Sequence, residues 1–120
     1  MSKELNQQEL HNLAMNIVGE ELRSQGHEFM GVNSDLNKNP QFVTLKDKKL
    51  HFVIVRSISY PNKVDDYNPD LMDKIKEQAS KFEAKLFYAG VGLGHGSDYS
   101  KPVLKENDYT MVYNGLKEIP

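Results

Sequence analysis

The sequence predicts an α/β (α+β) domain. A mixed sheet in αβββαβ order carries one helix on each face and a β-hairpin at the C-terminal end. Three observations lead there. Two segments place apolar residues at helical spacing behind recognisable caps. Between them runs Phe52-Val53-Ile54-Val55, an unbroken, largely β-branched stretch that fits a strand covered on both faces. After the second helix comes another short apolar stretch, residues 86–91, and a strand–helix–strand order makes those two strands parallel.

The first helix is expected over residues 7–24. Asn6 and Glu9 have the spacing of a capping box, and Leu5 with Leu10 that of a hydrophobic staple. Leu10, Leu13, Ala14, Ile17, Val18 and Leu22 form one apolar stripe, and Gly26 is placed to stop the helix. A short strand over 27–33 and a turn-rich stretch over 34–40 follow. Strands over 41–46 and 49–57 are joined around Asp47-Lys48 as an antiparallel hairpin. A loop over 58–67 leads to the second helix, with Asn68 as N-cap, Pro69 at its first position and Asp70 in its first turn. Leu71, Met72, Ile75, Ala79 and Phe82 line one face of that helix. Val53, Val55, Ile17, Ile75 and Phe82 are expected in the core, and truncating Ile17 or Phe82 to Ala is expected to cost about 2–5 kcal/mol. The glycine-rich residues 90–97 read as a flexible loop. Residues 109–113 and 116–119 flank Asn114-Gly115, a favoured hairpin pair.

Composition narrows the function classes. A chain of 120 residues and 13.7 kDa is one domain, 1–120, and such a domain buries roughly two-thirds of its unfolded surface. There is no cysteine, which excludes a disulfide scaffold, Cys-ligated zinc or iron–sulfur centres and a thiol nucleophile. A net charge of −2 and a pI near 6.1 give no global basic footprint for nucleic acid. No apolar run approaches the roughly 20 residues of a membrane span, and the first ten residues carry no signal-peptide core. The expectation is a cytoplasmic protein with no membrane insertion and no cofactor.

Candidate chemistry is sparse. Glu21 falls near the centre of the first helix's apolar stripe, with Glu20 at its edge. A carboxylate aimed at a sheet needs a partner. Glu21 is therefore either a structural group paired with Arg56 or a lysine, or an acid–base or metal-assisting carboxylate. The histidines His11, His27, His51 and His95 show no metal-ligand spacing, so no metal site is expected; His11 reads as helix surface and His51 as a strand-face residue. Gly92, Gly94 and Gly96 are the candidate cofactor-binding positions, yet neither a Gly-Lys-Ser/Thr motif nor a helical pattern follows them. Tyr60, Tyr67, Tyr88, Tyr99, Tyr109 and Tyr113, with Lys63, Lys101 and Lys105, form a possible stacking and phosphate-contact set. Aspartates at 65, 66, 98 and 108 are interleaved with it.

The element order, with the strand Leu50-His51-Phe52-Val53-Ile54-Val55-Arg56 at its centre, resembles the restriction-endonuclease-like (PD-(D/E)XK) superfamily over roughly residues 7–92. Active members place an Asp on the second core strand and Glu-x-Lys on the third, which together bind Mg²⁺ and activate water. The resemblance puts Ile54 at the acidic position, Arg56 at the lysine position and Gln41 or Phe42 at the Asp position. The helix carboxylate used by some members corresponds to Glu21 or Glu20. The scaffold is thus matched while its metal-binding residues are replaced. The whole chain also resembles a set of short bacterial proteins, some of them labelled as the NADH-oxidising component of the Na⁺-translocating NADH-quinone reductase. The component that carries that redox activity uses a Cys-ligated [2Fe–2S] domain and a flavin/NADH module, and this chain has neither the cysteines nor the length. The expected function is a non-catalytic binding domain on a nuclease-like scaffold, for an unknown ligand or protein partner, with a homodimer possible. The alternatives are an enzyme with a rearranged site around Glu21, Gln41, Arg56 and Lys46, and an accessory protein of a flavin/NADH-quinone redox system using the glycine-rich segment.

Overall fold

The computed structural model describes residues 4–35, 37–98, 100–104 and 109–120. Along the chain these residues form α1 (Gln7–Ser24), β1 (Glu28–Val32), β2 (Phe42–Lys46), β3 (Lys49–Ser59), α2 (Pro69–Lys81), β4 (Lys85–His95), β5 (Tyr109–Tyr113) and β6 (Lys117–Ile119). The sheet is mixed and open. β1, β2 and β3 pair antiparallel in sequence, β3 pairs parallel with β4, and both β5 and β6 pair antiparallel with β4. Asp47 and Lys48 both have positive φ, 53° and 64°, which is the turn geometry that matches strand twist in the β2–β3 hairpin.

Each helix begins where its cap dictates. Asn6 Oδ1 accepts from the Glu9 amide at 2.8 Å, and Glu9 Oε1 accepts from the Asn6 amide at 3.1 Å. Asn68 Oδ1 accepts from the amides of Asp70 and Leu71, ahead of Pro69 in the first turn. α1 packs with Val53, Val55, Ala89, Val91 and Leu93 on one face of the sheet. α2 packs with Phe52, Ile54, Leu86 and Tyr88 on the other. Val53, Ile54 and Val55 are fully buried, because alternate side chains of one strand feed both cores.

Four expectations are corrected. The buried stripe of α1 is His11, Ala14, Met15, Val18 and Leu22, rotated by about one position from the purely apolar reading. His11, expected on the surface, is therefore buried, while Leu10, Leu13 and Ile17 are half-buried at the stripe's flank. Phe82 is not in the core. α2 ends at Lys81, so Phe82 leaves the helical period as the C-cap; it is 62% exposed and touches only the rim, with its ring 5.9 Å from that of Phe52. The glycine-rich segment is not a flexible loop, since β4 runs through it to His95. The C-terminal strands form no hairpin with each other. β5 lies against Val91–His95 and β6 against Leu86–Tyr88, one after the other along the same edge of β4. Gly115, at φ +87°, makes the bend between them.

Candidate functional site

The sequence-derived candidates fall in three places. The first lies where β2 stops short of β3. The ladder between them ends at Phe42↔Val53, while β3 continues to Ser59. Gln41 continues the pairing by other means. Its backbone N–H donates to Val53 O at 3.0 Å, and its side-chain Oε1 accepts from the Val55 amide at 2.8 Å. Its Nε2 donates back to Lys38 O at 2.7 Å and to Asn39 Oδ1 at 3.2 Å. Arg56 closes the cluster: Nη1 donates to Val55 O at 2.9 Å and to Gln41 Oε1 at 3.3 Å, and Nη2 donates to Asn39 Oδ1 at 2.9 Å. Gln41 is fully buried. Burial lowers the pKa of Arg56 from its ordinary value, and Tyr88 acts in the opposite sense. A guanidinium starts so high that it stays cationic and offers no base.

Glu21 belongs to a second place. Half-buried on the flank of α1, it accepts from Tyr113 Oη at 3.1 Å. Its partner is thus a phenol from β5, neither Arg56 nor a lysine. Burial, then the charge of Glu21 and the hydrogen bond to it, hold the Tyr113 hydroxyl far above its usual titration range. Glu21 and Lys46 line one cleft of about 400 Å³ together with His27 and His51. Glu20 is taken by Arg23 in an exposed ion pair at 3.1 Å. Glu21, Gln41, Arg56 and Lys46 therefore divide between the two ends of β2, and the catalytic constellation suggested from sequence does not assemble.

The third place is the glycine stretch. Gly90, Gly92 and Gly94 share the α2 side of β4 with Tyr88, beyond the reach of α2 itself, and the segment Tyr60–Val64 lies directly on them. A Cβ on Gly90 would stand 1.9 Å from Val64 O, one on Gly92 would stand 2.9 Å from Val64 Cγ1, and one on Gly94 would stand 2.9 Å from Tyr60 Cβ. Tyr88 Oη donates to Val64 O at 2.9 Å, and burial pushes its pKa up to about 12. Gly92 and Gly94 are buried under that segment; Gly96 lies in the bend after the strand. The amides that a phosphate loop would present, those of Ser97 and Asp98, donate instead to His95 Nδ1 at 3.2 and 3.1 Å.

The aromatic set does not form a stacking platform either. Tyr88 is core, Tyr60 covers Gly94, Tyr113 serves Glu21, and Tyr67 packs on Tyr88 with Lys117 over its ring at 5.4 Å. Tyr99, Lys105 and Asp108 lie outside the described residues. The Mg²⁺ implied by the nuclease resemblance does not fit the first cluster. Ile54 has no oxygen, the amide oxygen of Gln41 is already occupied, and a guanidinium stands where a cation would have to sit. Among the described residues no group of three His, Asp or Glu side chains is placed to hold a metal ion. No helix of the described residues is long and apolar enough to cross a membrane.

Sequence reasoning misses the contact between His27 and His51, whose rings meet edge to face with centroids 5.0 Å apart. Residues 24 positions apart give no periodic signal. The available hint is that both positions border strands of the predicted sheet. No curated protein matches the chain. The model of a domain of unknown function, DUF8840, matches residues 8–119, and the chain belongs to that family.

Proposed function

We propose that this domain is a non-catalytic binding module built on a nuclease-like scaffold. One observation carries the reading: at the junction of β2 and β3, Gln41 and Arg56 direct their polar atoms to main-chain groups, to Asn39 and to each other. A hydrolytic site needs a carboxylate pair to hold the metal and a group to activate water. Here the corresponding positions brace the fold. The surface open to a protein partner lies elsewhere. Met30 and Val32 are exposed on the outer strand β1, beside a groove of about 690 Å³ floored by Met15, Phe29 and Phe42.

Incubation of the purified protein with supercoiled DNA and with single-stranded RNA, in Mg²⁺ or Mn²⁺, tests this. The expected result is no cleavage. Cleavage that persists through purification and is lost in Glu21→Gln or Arg56→Ala would overturn the reading in favour of a rearranged enzyme site.

A further inference from the structure

His27 and His51 occupy a junction of four elements. His27 sits in the short connection between α1 and β1, and its Nδ1 lies 2.7 Å from Thr44 Oγ1 of β2. His51, in β3, donates from Nδ1 to Lys49 O at 2.9 Å, which fixes its neutral tautomer with Nε2 unprotonated. Its ring stacks on Phe87 of β4 at 5.3 Å. Both histidines are buried, at 9% and 8% exposure, and neither has a carboxylate among its hydrogen-bond partners. Edge-to-face packing suits two neutral rings. Two imidazolium ions at the same separation repel, and each also loses solvation.

We propose that this contact is an acid-sensitive latch: while neutral it ties the end of α1 to the β2–β3 hairpin, and protonation below about pH 6 releases it and opens the adjoining cleft. The charged groups facing the pair do not prevent this. Glu21 of α1, Asp47 of the hairpin turn and Glu118 of β6 favour the protonated rings; Lys46 of β2 and Lys85 of β4 disfavour them. For both histidines burial is the largest influence, and the pKa lies below the ordinary 6.5. The closed form therefore binds fewer protons than the open one. Closure is fully favoured above 6.5 and is lost as pH falls from there through the lowered pKa values. The proposal is independent of whether the domain binds or catalyses.

Amide hydrogen exchange of the intact chain at about pH 7 and about pH 5, corrected for intrinsic rates, provides the test. The amides of β1 and of the β2–β3 hairpin should exchange at least about tenfold faster at the lower pH, while Val53, Val55 and Val91 keep their protection. The double variant His27→Gln/His51→Gln should lose this acid response. Direct titration of the imidazoles by NMR in the unaltered chain stands in if that variant does not fold, and both rings should then titrate below 6.5. Unchanged exchange, an acid response that survives in the double variant, or titration of both rings at or above 6.5 would each overturn the proposal.

Discussion

The two faces of the sheet are closed by different means. On one face α1 lays five buried side chains over β3 and β4, and the seam is side chain against side chain. On the other face α2 covers only the first part of β4. Beyond Tyr88 the cover is a loop, and the sheet meets it with bare glycine backbone at Gly90, Gly92 and Gly94. A helix can be carried by a row of bulky residues because its own side chains interdigitate with them. An extended segment has no such depth, so it reaches the sheet only where the side chains vanish. The same residue type thus marks close approach here, although in the linear sequence it resembles a flexible loop.

Glycine substitutions break this comparison most sharply. Gly90→Val drives a side chain into the Val64 carbonyl, which is backbone and has little room to yield. We expect a loss of more than about 3 kcal/mol in urea unfolding, or no folded protein. Gly19 on α1 is the counterpart on the other face. A Cβ there would sit 3.5 Å from Phe42 Cζ, an ordinary contact, and Gly19→Ala should raise stability by up to about 1 kcal/mol through helix propensity. Equal effects at the two positions would remove the distinction between the faces.

A smaller contrast separates the two helices' apolar residues. Leu22 is fully buried on α1, so Leu22→Ala should cost about 2–5 kcal/mol. Phe82→Ala, at a position 62% exposed, should cost less than about 1 kcal/mol despite the larger side chain. Chemical denaturation of both variants checks the pair, and a large loss at Phe82 would place it back in the core.

What is legible in the sequence follows from how local each signal is. Caps and turns act over three or four residues, so Asn6–Glu9, Asn68–Pro69 and Asp47-Lys48 can be read directly. The Val53–Val55 run reveals the central strand because burial on both faces leaves no alternation. The stripe of α1 reads one position off because His11 is polar yet buried; its Nε2 has no hydrogen-bond partner in the structure. Nothing local distinguishes such a histidine from a surface one. The site is the least legible part. Gln41 with Arg56, and Glu21 with Tyr113, are contacts over 15 and 92 residues. The nuclease resemblance puts Gln41 and Arg56 on neighbouring strands, but gives no sign that their polar groups extend the β2–β3 pairing.

The central claim is that Gln41 braces the fold and does not serve a reaction. Residues held in place for chemistry are commonly neutral or costly to stability, and their removal leaves the fold unchanged or firmer. A brace behaves in the opposite way. Urea unfolding of Gln41→Ala against the unaltered chain measures the difference directly. The variant leaves the Val55 amide and part of the Arg56 guanidinium without their acceptor, and the account predicts a loss of about 1–3 kcal/mol. Stability equal to or above that of the unaltered chain would contradict it.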